Sequence, residues 1–306
     1  MTIVATLAGV ALIALVIDDI FTVLFRSGAE SRLSGWLTRR LWWLLRRAGR
    51  RSRHVLALAG PLAVATVICA WAVLLIAGWA LIYLPHYPDG YLLADGVAAH
   101  SAAVGALRMS LEMLTTLGSS TAQPNAAWLQ IASPVEALIG FGLLTAAVAW
   151  LLQIYPVLSR RRSLAYEIHL LTGTEQRLGL DVLEMQPFVA SQLYAELTSR
   201  LIAVERDLVK FPIAYYFAES DRRFALSTAL PHLAALAARG TSDERPDDVR
   251  LRAAMLEEAI DDFAQTLADR FLAAGEGTTT ATLHAFAHDH RHRPPSPPPV
   301  ADRPPV

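Results

Sequence analysis

Residues 109–120 read Met109-Ser110-Leu111-Glu112-Met113-Leu114-Thr115-Thr116-Leu117-Gly118-Ser119-Ser120, an amphipathic helical pattern that runs into Thr-Leu-Gly and ends in small polar residues. The carboxyl end of such a helix carries partial negative charge and attracts a cation. Residues 115–125 contain no Asp or Glu, so only hydroxyl and carbonyl oxygens are on offer. Those suit a monovalent cation better than a hard divalent one, which wants charged oxygen ligands. No Ser–His–Asp set, paired-Cys site or His-Glu-x-x-His stretch suggests catalysis. The expectation is therefore a protein that is not an enzyme, with no catalytic residue and no cofactor. His288, His290 and His292 alternate beside a Pro-rich end and read as an unstructured tract, so no metal site is expected. Cys69, the one cysteine, lies in an apolar run and reads as an inert small hydrophobe.

The elements that would position this segment are membrane spans. The chain is 54% hydrophobic with a mean hydropathy of +0.35, above the usual soluble domain. Three stretches are long enough to cross roughly 30 Å of hydrocarbon: Thr2 to Phe25, Val55 to Leu84 and Ala126 to Leu158. A fourth, from about Ala98 to Leu117, carries Arg108 and Glu112. It is too short and too polar to cross, which predicts a re-entrant segment sheltered by protein. The first run lacks the Lys/Arg that opens a secretory signal and reads as a retained anchor. Asp18 and Asp19 interrupt it near its end, and a carboxylate there is either functional or held in a capped or paired structural role.

Charge sets the expected orientation. Nine Arg and a single acid, Glu30, lie between Arg26 and His54, and Arg160-Arg161-Arg162 follows the third run. Both clusters should be cytoplasmic, while the connection from Pro85 to Gln130, with Arg108 alone, should face outside. The result is three crossings of a cell (inner or plasma) membrane, with the N-terminus outside and the C-terminal part in the cytoplasm. Leu33, Trp36, Leu37, Leu41, Leu44 and Ala48 recur at helical spacing among the arginines. That pattern predicts a basic amphipathic helix at the anionic inner leaflet, with lipid rather than nucleic acid as partner. From Leu164 to Glu276 the balance reverses to 19 Asp/Glu against 11 Lys/Arg, and spaced apolar residues predict soluble helices. No small-molecule ligand is identifiable there.

The stretch from Met109 to Ser120 between two spans resembles the pore loop of the potassium channel superfamily. Glu136-Ala137-Leu138-Ile139-Gly140-Phe141-Gly142-Leu143-Leu144-Thr145 is similar to the inner helix that follows such loops, and Tyr155 to Arg162 would close that helix at the cytoplasmic face. Phe211-Pro212-Ile213-Ala214-Tyr215-Tyr216 resembles a segment of bacterial potassium-channel-like proteins that have an extra N-terminal span and a C-terminal helical domain. The similarity touches most of residues 1–240. It implies an all-α membrane protein with a pore-loop channel fold: three transmembrane helices, a re-entrant pore helix and a cytoplasmic helical domain. The implied organisation is an N-terminal span at 1–25, a basic interfacial segment at 26–54, a pore domain at 55–163, a cytoplasmic helical domain at 164–276 and a disordered His/Pro-rich tail at 277–306.

The resemblance assigns the selectivity filter to Thr115, Thr116, Leu117, Gly118, Ser119 and Ser120, and the permeant ion to K+ or Na+. Where the family filter reads Thr-Val-Gly-Tyr-Gly and then Asp, this chain has Leu117, Ser119, Ser120 and Thr121 in place of Val, Tyr, the second Gly and Asp. Low or altered K+/Na+ selectivity follows, and a non-conducting scaffold or sensor that keeps the channel fold is the alternative. A ring built from one loop per chain needs four chains, so a homotetramer is implied. Gly140 and Gly142 sit where inner helices bend to gate, although glycines there also allow close packing. Thr145 and Gln153 either line the cavity or bond to neighbouring helices. Arg108 and Glu112 would pair along the pore helix, and Glu136 would meet Arg108 or flank the outer mouth.

Overall fold

The computed structural model describes residues 2–26, 31–48, 58–93, 101–119, 122–272 and 277–290. In order along the chain the helices are α1 (Thr2–Phe25), α2 (Arg32–Ala48), α3 (Ala59–Tyr83), α4 (Ala102–Leu114), α5 (Ala127–Leu178), α6 (Pro187–Lys210), α7 (Leu226–Gly240), α8 (Asp247–Arg270) and α9 (Thr279–Asp289). Two short strands, β1 (Tyr91–Leu93) and β2 (Ala122–Pro124), pair antiparallel with Tyr91 opposite Pro124 and Leu93 opposite Ala122. α1, α3 with the turn that follows it, and α5 are long and apolar enough to cross a membrane. The chain is thus an all-α membrane protein, and it divides into two compact units: Met1–Leu44 with Pro61–Ile154, and Leu45–Gly60 with Tyr155–Val306.

In the first unit, α1 and α3 approach through glycine. A Cβ on Gly9 would lie 2.4 Å from the Gly78 carbonyl, and one on Gly78 would lie 2.8 Å from Ile13. Small residues let membrane helices pack backbone to backbone, where dispersion replaces the missing hydrophobic drive. Trp71 and Leu75 of α3 are fully buried, and the Trp71 ring meets Trp150 of α5 at 5.5 Å between centroids. The β1–β2 pair, with the Asn125 N–H donating to the Gly90 carbonyl at 2.9 Å, ties the end of α3 to the start of α5.

Asp19 explains how α2 is set. Its carboxylate accepts the Ser31 hydroxyl (2.5 Å), the Leu33 N–H (3.2 Å), the Ser34 hydroxyl and the Trp71 indole N–H (2.8 Å). An anion at the start of a helix meets the orphan N–H groups and the positive end of the dipole. So Asp19 is a cap supplied from a neighbouring helix. The face of α2 turned inward is Ser34, Thr38 and Trp42, while Trp36, Trp43 and Leu44 stay exposed. Asp18 is exposed. Replacing Asp19 by Ala should lower unfolding stability in detergent by about 2 kcal/mol, and Asp18→Ala should leave it within roughly 0.5 kcal/mol. Equal effects of the two would remove the capping account.

The second unit is a helical bundle. α6 runs alongside α8, with Thr266 donating to Glu205 at 2.8 Å, and the Tyr194 hydroxyl donates to the Leu236 carbonyl at 2.8 Å. Its core holds Leu197, Leu201, Leu230, Leu233, Leu256 and Phe263. Burial pushes the Tyr194 phenol up to about 12. Two expectations change here. α5 does not close at Arg160–Arg162 but continues as one helix to Leu178, because nothing between them breaks it and both halves bury a face. Residues 279–289 belong to α9 rather than to a disordered tail. Thr282, Leu283, Phe286 and Ala287 form a helical stripe that is buried. His290 packs edge-on against Tyr215 at 4.9 Å, so its ring serves the core. Residues 291–306, His292 among them, lie outside the described residues.

Candidate functional site

α4 has 13 residues, roughly 20 Å of helix at about 1.5 Å per residue, which is short of a roughly 30 Å hydrocarbon core. It lies between the two spans α3 and α5 and buries Gly105, Ala106, Met109, Ser110 and Leu114. Gly105 is required by packing: a Cβ there would fall 2.2 Å from the Tyr87 ring. Along the other face, the Arg108 guanidinium donates to Glu112 at 2.8 Å, one turn on.

The end of α4 closes on itself. The Leu117 N–H and the Gly118 N–H both donate to the Glu112 carbonyl (3.0 and 3.2 Å), and the Thr116 N–H donates to Met113 at 2.9 Å. Those bonds, with Thr116 at φ +60°, make a Schellman-type stop. Glycine is the usual occupant of that place, and a β-branched residue there holds strain of order 1–2 kcal/mol. Gly118, at φ +75°, takes a left-handed conformation without that penalty. The carbonyls of Thr115, Thr116, Leu117 and Gly118 accept no hydrogen bond among the described residues. Leu117 is 80% exposed, and Ser119 accepts the Ala122 N–H at 3.1 Å. Ser120 lies outside the described residues.

α5 supports this loop from behind. A Cβ on Gly140 would fall 1.9 Å from the Leu114 carbonyl oxygen, so α5 touches the last turn of α4 with bare backbone. Gly142 faces open space. Thr145 returns its hydroxyl to the Phe141 carbonyl at 3.0 Å, and Gln153 donates to Ala149 at 3.3 Å. Gly142 and Thr145 lie on the exposed side of α5, whereas Gln153 is half-buried. Glu136 meets neither Arg108 nor the outer surface. It is fully buried, 2.5 Å from the Ser110 hydroxyl of α4, and it accepts the Tyr83 hydroxyl of α3 at 2.7 Å. Three elements thus converge on one carboxyl. Ser110 and Tyr83 were not singled out in the sequence, since a serine on a helix and a tyrosine at a span end carry no spacing signal of their own.

In the second unit, Arg161 is buried and donates to the carbonyls of Ala214 (2.5 Å) and Phe217 and to Glu219 (3.3 Å). Residues 212–216 form a 3-10 turn that presents the Ala214 carbonyl, and Phe217 caps it. The Phe217 ring lies over Gly60, where a Cβ would be 2.3 Å away. Tyr215 stacks on Phe271 at 4.4 Å and donates to Asp289 at 2.6 Å, and Asp289 also pairs with Arg46. Burial, then the Asp289 charge, push the Tyr215 phenol above its ordinary range. Among the described residues no group of three or more His, Cys, Asp or Glu side chains is placed to hold a metal ion.

Among known proteins, the chain is similar to the uncharacterized membrane protein YdjJ of Bacillus subtilis (strain 168), with 27% identity over 164 residues. The match covers 53% of this chain and 47% of that protein, so the chain spans about half the length of the relative. No family model and no solved structure matches.

Proposed function

We propose that the first unit is one quarter of a tetrameric, potassium-channel-like pore that passes monovalent cations with low or altered K+/Na+ selectivity. One observation carries the reading: four successive carbonyls, Thr115 to Gly118, accept no hydrogen bond among the described residues and sit at the negative end of a half-crossing helix between two spans. A cation on that axis would be met by oxygen dipoles and by the end of α4. On the exposed side of α5, Leu138, Phe141, Leu144, Val148 and Leu152 form an apolar face for lipid and neighbouring copies to cover. The arginine clusters favour an inner or plasma membrane with the N-terminus outside and the second unit in the cytoplasm. Arg39, Arg40, Trp36 and Trp43 of α2 would then face anionic lipid.

The left-handed Thr116 favours a second reading. A Schellman stop ends a helix, and a loop spent on that role belongs to a membrane scaffold or sensor with a channel-like frame. Cation flux through purified protein in liposomes, with K+ and Na+ gradients compared in one preparation, separates the two. Similar flux of both ions is the expected result. Flux of K+ alone would overturn the altered-selectivity part, and no flux from a verified tetramer would favour the scaffold. A protein that is monomeric in mild detergent would remove the pore.

A further inference from the structure

The hydrogen-bond geometry around Glu136 limits where the protons shared with its neighbours can lie. Ser110 Oγ lies 2.5 Å from Glu136 Oε1 and 3.0 Å from the Ile76 carbonyl oxygen of α3. A serine hydroxyl has one proton to give. An ionised Glu136 would make both neighbours acceptors, and one of the two short contacts would then be oxygen against oxygen with no hydrogen between. The Tyr83 hydroxyl already donates to Glu136 Oε2 at 2.7 Å. With a proton on Oε1 all three contacts become complementary: Glu136 to Ser110, Ser110 to Ile76, and Tyr83 to Glu136.

The surroundings favour the same state. Arg108, the cation on α4, is paired with Glu112, and Glu136 has no ion-pair partner among the described residues. From α3, Tyr83 is the titratable neighbour, and Trp79 packs on its ring at 5.7 Å. From β1, Tyr91 meets Tyr83 edge-on at 6.3 Å. On α5 itself, Ser133 lies one turn earlier with its hydroxyl beside that of Tyr83, and the buried Tyr91 hydroxyl has no hydrogen-bond partner among the described residues. Each of these neighbours among the described residues is neutral. A lone anion within an apolar span, without a cation, is far costlier than a hydrogen-bonded acid.

We propose that Glu136 is held as the neutral acid, a proton-bearing clasp that fastens the re-entrant helix α4 to α3 and α5 through Ser110, Ile76 and Tyr83. Glu136 is a positioning residue: it acts on the Thr115–Gly118 segment by fixing the helix that carries it. Its consequence for conduction rests on the pore reading above, whereas the protonation does not.

Infrared spectra of the full chain in lipid vesicles at neutral pH test this. The wild type should show the carbonyl stretch of a protonated carboxylic acid, and Glu136→Gln should lack it. Glu136→Gln keeps a donor towards Ser110 and an acceptor for Tyr83, so it should melt close to wild type. Glu136→Ala and Ser110→Ala, which break the chain of bonds, should each melt about 5 °C lower. Absence of that band, or a Glu136→Gln protein as unstable as Glu136→Ala, overturns the proposal. The band together with rescue by Gln, in a protein that passes no cation, would keep the clasp and remove the pore.

Discussion

Gly140→Val should destabilise the protein by about 3 kcal/mol or more, while Gly142→Ala, two residues away, should be neutral or stabilising by about 0.5–1 kcal/mol. At Gly140 the new Cβ would fall 1.9 Å from the Leu114 carbonyl oxygen and 2.8 Å from its carbon. Both are backbone atoms at the last turn of α4, so no side chain can swing aside and the helix itself must move. The movement would fall on the Thr115–Gly118 carbonyls that the proposed function depends on. At Gly142 a Cβ meets nothing within 4 Å, and only the helix propensity of alanine over glycine remains. Denaturation in detergent measures the stability change and liposome flux its consequence. If the two glycines responded alike, the close approach of α5 to α4 would be wrong.

Arg161→Met should cost roughly 3–5 kcal/mol, whereas Arg160→Ala next to it should cost no more than about 1 kcal/mol. Arg160 pairs with Asp207 through a half-exposed side chain, where solvent screens the charges. Arg161 is 7% exposed, and its guanidinium spans two carbonyls and a carboxylate that come from one turn of chain. Glu219 would still be held by Arg162 at 2.8 Å, so the loss comes mainly from Ala214 and Phe217, whose carbonyls would each lose a charged donor, Ala214 keeping only the Phe217 N–H at 3.4 Å. Arg161→Lys should recover only part of this, because an ammonium cannot reach all three acceptors as the planar fork does. Thermal melting of the purified variants reads all three. An Arg161→Lys protein as stable as wild type would show that charge alone, and not the fork, organises residues 211–219.

The largest features were legible because they depend on composition and period. Long uncharged runs announce spans α1, α3 and α5, since a bilayer demands about 20 apolar residues from any helix that crosses it. Arg108 and Glu112 at four-residue spacing announce their ion pair. α9 escaped because the alternating histidines and nearby prolines masked a short stripe of Thr282, Leu283, Phe286 and Ala287. Its helix gains stability from burial in the bundle rather than from its own propensity.

What the chain by itself determined is therefore an all-helical membrane protein with three apolar helices, a short amphipathic segment between two of them and an acidic helical part. The tertiary structure alone decided which polar residues act together. Asp19 meets Ser31, Ser34 and Trp71. Glu136 meets Tyr83 and Ser110, and Arg161 meets Ala214 and Phe217. Sequence separation carries no information about such pairs. A buried polar group must find a partner, but helix packing chooses which one, and that packing is set by where glycines such as Gly9, Gly78 and Gly140 let backbones touch. The same cause divides Arg160, Arg161 and Arg162, one run of charge in the sequence, into a half-exposed pair with Asp207, a buried fork and a second partner for Glu219.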